Sequence, residues 1–252
     1  MRHVLLIHGH PFNRSMWTPQ VDALRARYRV IAPDLRGYGQ SSLTIDRETS
    51  LETFASDCLA LMDALHIRAF ALGGLSMGGQ IALEIHRQAP ERVEALLLAD
   101  TFAGRDTEER RQLRLMTAER LEREGIRAYA HEELPKMIAP ANAERFPELA
   151  AHVMDMMTTT PPAGAAAALR GRVRRRDYVP LLGGIRVPTV VVVGREDVYT
   201  PVSLAEQLRD GIPGATLEVI EDAGHMPNLE RPAAFNKVME AWLRTTAVPQ
   251  PR

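Results

Sequence analysis

Six short apolar runs, several with no polar position at all, constrain this chain more than any other feature. They fall at residues 4–7, 28–32, 69–72, 95–99, 189–193 and 216–220. A strand wetted on one face alternates apolar and polar residues, whereas one that is apolar throughout must be covered on both faces, as in a parallel sheet. Between the runs lie amphipathic or Ala/Leu-rich stretches at 16–26, 51–65, 78–88, 203–210 and 233–244 that read as helices. Regular alternation of strand and helix predicts an α/β fold with a doubly wound, mostly parallel sheet and right-handed crossovers.

One segment interrupts the alternation. No strand pattern occurs between residues 101 and 182. Residues 107–124 read as a charged amphipathic helix with Leu113, Met116 and Leu121 near helical spacing and Gly125 as its stop. A second helix is expected near 148–157, ended by Pro161 and Pro162. We expect a single domain whose core comprises residues 1–100 and 183–252, with 101–182 inserted as a helical lid. Composition agrees: 252 residues that are 45% hydrophobic and 25% charged suffice for one well-buried core.

The net charge of −1 gives no reason to expect nucleic acid or an anionic membrane as partner. Cys58 is the only cysteine, so no intrachain disulfide can form. The first apolar run is too short for a signal sequence and is interrupted by His8 and Gly9. Nothing reaches the roughly 20 apolar residues a spanning helix needs. A cytoplasmic location is the expectation.

The chemistry-bearing motifs sit at the ends of the strand runs. Gly-Leu-Ser-Met-Gly-Gly, residues 74–79, links the run at 69–72 to the helix that follows. A serine on so sharp a strand–helix turn is a nucleophile elbow: glycines two before and two after avoid clashes, and the hydroxyl is set at a helix N-terminus. Ser76 is the expected nucleophile. Its partners come later, Asp197 just beyond the run at 189–193 and His225 just beyond 216–220. Both loops leave the carboxyl edge, where open α/β sheets bind ligands, and the order Ser, Asp, His is the one this kind of sheet uses. Asp100, at the end of the run 95–99, is a rival acid. Asp34 reads as part of a structural turn. Acyl transfer also needs N–H donors for an oxyanion, expected from Met77 and from the loop Ile-His-Gly-His-Pro at 7–11, through His10. His8 is read as a loop brace. His8 and His10 have metal-ligand spacing but no acidic partner nearby, so neither a metal nor any other cofactor is expected.

Together, His-Gly-x-Pro, the stretch Asp34 to Ser41, Gly-Leu-Ser-Met-Gly-Gly, Gly-Arg-Glu-Asp-x-x-x-Pro and Gly-His-Met-Pro resemble the α/β-hydrolase superfamily, across nearly the whole chain outside the lid. The nearer resemblance is to small-ester hydrolases, cofactor-free haloperoxidases (perhydrolases) and 3-oxoadipate enol-lactonases. It implies Ser76, Asp197 and His225 as triad, with Met77 and His10 as oxyanion donors. Serine at 76 departs from dehalogenases and epoxide hydrolases, which carry aspartate there. Relatives commonly begin with a β-hairpin that this sequence lacks, so a shortened sheet edge is expected, open to a homo-oligomeric partner.

These readings favour hydrolysis of a small ester or lactone. Alternatives are a carbon–carbon hydrolase or lyase using the same triad, and a non-catalytic receptor on the same fold. In the lid, Met154, Met156 and Met157 are expected to pack, and could line a pliable acyl pocket. The basic run Arg172, Arg174, Arg175 and Arg176 is expected to be a solvated face. Its removal should then be kinetically silent, with neutral aryl esters preferred.

Overall fold

The computed structural model describes residues 2–43 and 46–245. Residues 1 and 246–252, at the outer ends of the expected core segments, lie outside that description, as do 44 and 45. Six strands form one sheet: β1 (Arg2–Ile7), β2 (Tyr28–Ile31), β3 (Phe70–Leu75), β4 (Val93–Ala99), β5 (Thr189–Gly194) and β6 (Thr216–Ile220). Their order is β2-β1-β3-β4-β5-β6, and every ladder is parallel. The chain turns outward from β1 to β2, then returns to β3 on the other side of β1. That reversal is the switch point at which open α/β sheets present a crevice beyond their strand ends.

Alternate strand residues serve opposite cores, which is why the runs read as apolar throughout. Leu5, Ile7, Leu72, Leu96, Leu98, Val191 and Val193 join the helices α2 (Leu51–Ala64), α3 (Met77–Gln88) and α10 (Val202–Gly211). Val4, Leu6, Ala71, Leu97, Val190 and Val192 face α1 (Thr18–Leu24) and α12 (Pro232–Thr245). The expected helices are present with small shifts. The stretch at 16–26 begins instead as a 3-10 turn, Arg14–Trp17, before α1. The third strand runs further than its pattern suggested, through Gly73 and Gly74 to Leu75, because both glycines pair with β4.

Between β4 and β5 the chain builds six helices: α4 (Glu108–Glu124), α5 (Arg127–Met137), α6 (Pro140–Arg145), α7 (Pro147–Thr159), α8 (Pro162–Val173) and α9 (Val179–Leu182). The sequence pattern located α4 and α7 and missed the others. Proline misled it: Pro162 begins α8 and does not merely end α7, since a first-turn proline has no N–H to lose. Helix α8 is also buried nearly all round, from Gly164 to Leu169, so it has no polar face to reveal a helical period. The apolar stripe expected on α4 is a correction too. Leu113 and Met116 are exposed, and α4 packs through Ala118 and Leu121 onto Ala165, Ala166 and Leu169 of α8. Small residues on both helices permit the close approach. A short helix, α11 (Pro227–Glu230), precedes α12. No helix among the described residues is long and apolar enough to cross a membrane.

His8 shows how the strand ends are tied. Its Nε2 accepts from the Leu35 amide at 3.0 Å, and its Nδ1 donates to the Gly9 carbonyl at 2.8 Å, so both ring nitrogens are occupied and the neutral tautomer is set. Burial lowers its pKa from 6.5 to about 4, partly offset by the Gly9 bond and by Asp34. Unfolding restores the ordinary value, so the unfolded chain binds the extra proton, and stability is lost as pH falls from 6.5 towards 4. The full effect is about 3 kcal/mol. His8→Gln, with no imidazole to protonate, should melt below wild type at neutral pH, and the gap should narrow as the pH falls through this window. Comparing the two melting curves cancels the other groups titrating there, including His10, His86 and Asp100. A gap that stays constant with pH would show that His8 protonates as readily folded as unfolded.

Candidate active site

The turn from β3 into α3 is the most tightly determined point of the chain. Ser76 has φ 57° and ψ −115°, a left-handed conformation that a residue with a Cβ adopts only under constraint. The constraints are visible. Its N–H donates to the Ala99 carbonyl at 2.9 Å, and its carbonyl accepts from the Thr101 hydroxyl at 2.7 Å. A Cβ on Gly74 would lie 2.1 Å from the Gly78 carbonyl oxygen, and one on Gly78 would lie 2.1 Å from that of Ile7. Both positions must therefore be glycine. The Ser76 hydroxyl makes no hydrogen bond within the described protein.

His225 follows β6 and is buried. Its Nδ1 lies 2.8 Å from Asp197 Oδ2. Asp197 follows β5, and its carboxylate also accepts from the amides of Tyr199 (2.8 Å) and Thr200 (3.1 Å) and from the Thr200 hydroxyl. Burial alone would raise the Asp197 pKa, but His225 and the Thr200 donors outweigh it and hold it below the ordinary value. Asp100 has the opposite environment. Its Oδ1 accepts from Gly194 N at 2.9 Å, while Oδ2 is buried without a partner. Burial, then the Asp197 charge, push its pKa well above the carboxylate range. Of the two acids, Asp197 is the ionised one and it contacts the imidazole.

The remaining expected residues lie at the same edge. His10 follows β1, and Met77 opens α3. The main-chain N–H of neither residue donates to a described protein group. The His10 ring bonds through Nδ1 to the Tyr38 hydroxyl at 2.7 Å, and burial, then Arg172, lower its pKa well below 6.5. Asp34 is structural: it accepts from the amides of Arg14 and Gln40 at 2.7 and 3.0 Å.

Ser76, His10, Tyr199, Thr200 and His225 open on a cavity of about 170 Å³ whose other walls come from Phe102 and the inserted helices. Helix α5 contributes Tyr129, Glu133 and Met137, spaced one turn apart along one face. Arg110, Leu113 and Arg114 come from α4, and Leu169 and Arg172 from α8. Larger clefts of about 740 and 800 Å³ exist elsewhere, but neither contains Ser76 or His225. The methionines pack, as expected, and do not take the alternative role of lining the cavity. Met156 and Met157 are fully buried in the core, Met154 packs against the same cluster, and none of the three reaches the cavity. The solvated arginine face is corrected. Arg174 and Arg176 are exposed, but Arg175 is buried against Asp106 and Arg172 is buried in the cavity wall. The run spans the end of α8, where successive residues point to different sides.

Glu230 was not anticipated. Its buried carboxylate accepts from Gly224 N (2.8 Å) and Met226 N (3.3 Å), bracketing His225. It also accepts from Ala139 N (2.9 Å) and Asn142 Nδ2 (2.7 Å), tying that loop to the inserted helices. Only an acidic residue five after the histidine signalled it, and that signal has no meaning without the fold. One set of potential metal ligands occurs among the described residues: Asp100, Asp197 and His225, with ligand atoms within 4.8 Å of one another. Four donors already engage Asp197, and Asp100 favours its neutral form, so the set is poorly suited to a cation.

Comparison with known proteins agrees with this fold. The model of the alpha/beta hydrolase fold family matches residues 2–232. The chain is 30% identical to 3-oxoadipate enol-lactonase 1 of Acinetobacter baylyi, over 92% of this chain and 85% of that one. Among solved structures, a thermophilic esterase from Thermogutta terrifontis, with malate bound, superposes with TM-score 0.96 at 36% identity, covering 98% of this chain and 91% of that one. The enol-lactonase from Burkholderia xenovorans gives 0.90 at 30% identity, covering 96% and 91%. This chain belongs to the α/β-hydrolase family and is a hydrolytic enzyme of that type.

Proposed function

We propose that the protein hydrolyses small carboxylic esters or lactones through an acyl-enzyme on Ser76. The observation that carries this reading is Ser76, held in a left-handed elbow, opening on the same cavity as an imidazole hydrogen-bonded to an ionised, buried aspartate. The similarity to an esterase and to enol-lactonases supports the choice of ester or lactone bonds.

His225 takes the Ser76 proton through Nε2 as Oγ attacks the carbonyl carbon. Asp197 holds Nδ1 protonated and stabilises the imidazolium that forms. The amides of Met77 and His10 receive the oxyanion. Collapse of the tetrahedral adduct breaks the carbonyl–alkoxy bond, and His225 returns its proton to the departing oxygen. Water then repeats the sequence on the acyl-enzyme, releasing the acid and restoring Ser76. With a lactone, the freed hydroxyl remains covalently part of the acyl chain, so the second step releases a single hydroxy acid.

A fluorophosphonate probe should label the protein at Ser76, and Ser76→Ala should abolish labelling and reduce ester turnover by several orders of magnitude. The melting temperature should barely change, because the hydroxyl has no partner among the described residues. Ser76→Gly should melt above Ser76→Ala, since glycine releases backbone strain of about 1–3 kcal/mol. Labelling of Ser76→Ala, or its retention of substantial turnover, would refute the nucleophile assignment.

Asp197→Asn should depress kcat far more than Asp100→Asn. The amide at 197 would face His225 Nδ1 with the wrong tautomer or a donor, a loss of about four orders of magnitude in the serine-protease case. At 100 the change alters a carboxyl that does not hydrogen-bond the imidazole and whose proton affinity burial raises. Steady-state kinetics on one aryl ester decide the matter, and the reverse ranking would transfer the acid's role to Asp100.

A further inference from the structure

We propose that the Ser76 cavity takes substrates whose acyl portion carries a carboxylate, and that Arg172 binds it. This deepens the hydrolase reading and rests on it. Arg172 is 6% exposed, and among the described residues the only hydrogen bond of its side chain runs from Nε to Gln80 Oε1 at 3.3 Å. Gln80 sits one helical turn after Ser76 and donates its amide to the Ser76 carbonyl, so the guanidinium is anchored on the helix that carries the expected nucleophile. Among the described residues no carboxylate pairs with it.

The nearby acids are already engaged. Asp106 accepts from Arg114 through Nε at 2.7 Å and Nη2 at 3.2 Å, and from Arg175 at 3.3 Å. Glu133 takes the Tyr199 hydroxyl and, at 2.6 Å, Lys136. Arg114 and Arg175 therefore take the Asp106 carboxylate between them, and Arg172 is left without one. Arg175 also donates to the Gly104 carbonyl and lies with its guanidinium carbon 4.3 Å from the Phe102 ring, although its Nε and Nη1 are buried without a partner. Arg172 has neither a carboxylate partner nor a main-chain carbonyl acceptor among the described residues. Desolvation, then the Arg114 and Arg175 charges, act against its protonated form, yet a guanidinium keeps its proton in proteins. An isolated buried cation is expensive, and its natural remedy is an anion in the adjoining space. The neighbouring His10 adds a buried Nε2 without a partner. A planar fork beside a carbonyl-attacking serine suits a second, unreactive carboxylate.

The test compares para-nitrophenyl hydrogen glutarate with para-nitrophenyl pentanoate, which differ by a terminal carboxylate in place of methyl. Wild type should favour the acidic ester in kcat/KM. Arg172→Gln should reduce the acidic-to-neutral ratio by about tenfold or more, mainly through KM, and Arg172→Lys should restore part of it. Arg174→Gln, at an exposed position beside Glu48, should leave the ratio unchanged. In wild type, glutarate should inhibit competitively and glutaramide should not, which keeps the proposal testable if Arg172→Gln fails to fold. A ratio unmoved by Arg172→Gln, or equal inhibition by glutarate and glutaramide, overturns the proposal while leaving the hydrolase reading intact. If neither ester is turned over, the hydrolase reading fails instead, and calorimetric binding of glutarate decides the Arg172 assignment by itself.

Discussion

The close contact between the β3–α3 turn and the end of β1 sets the geometry of everything around it. The Gly78 Cα lies so near the Ile7 carbonyl that no side chain fits between them. That approach aims the first turn of α3, with its free amide at Met77, across the end of β1. It also forces Ser76 into a backbone conformation worth a few kcal/mol of strain. The cost is offset by interactions on both sides of the turn: the Ser76–Ala99 bond continues the β3–β4 ladder, and Thr101 locks the next carbonyl. Strain of this kind persists only where the surroundings over-determine it, and here two glycines, two strands and a threonine do so.

The rest of the site is assembled from segments far apart in sequence. His10, Ser76, Asp197 and His225 follow four different strands of one parallel sheet, so their proximity comes from strand order. The inserted helices then close the cavity. Glu230 connects the two parts: one carboxylate satisfies amides flanking His225 and a backbone amide and side chain from the insertion. Motion of the insertion relative to the histidine loop would leave buried donors unsatisfied, an arrangement that couples the cavity wall to the imidazole.

Electrostatic contrast within a small volume does the remaining sorting. Asp100 and Asp197 sit side by side, yet one is surrounded by four donors and the other has an orphan oxygen, so their affinities for a proton diverge. The arginines diverge in the same way. Arg175 pairs with Asp106 and the Gly104 carbonyl, whereas Arg172 has no carboxylate partner among the described residues, although only two residues separate them. In both pairs residue type is identical and hydrogen-bond supply decides the role.

Period and position along the chain determined much by themselves. Apolar runs with no polar face marked the parallel strands, because strands buried on both sides tolerate no polar alternation. The glycine spacing around Ser76 marked the elbow, because the clash it avoids is local. Asp197 and His225 could be placed because both follow strands whose ends must meet at one edge. Tertiary structure alone decided what local pattern does not encode. Helix α8 is buried on nearly every side and starts at a proline, so neither periodicity nor a conventional start signal disclosed it. Arg172 rides on that helix, and whether it faces water or Ser76 depends on the rotation of α8 against α4. Met156 and Met157 were similarly ambiguous, since an apolar side chain suits a core and a pocket equally well. Glu230 carries no local signal of its role, because the four donors around it are brought together only by the fold. Sequence specified the groups whose constraints are covalent or periodic, and packing specified those whose environment comes from residues a hundred positions away.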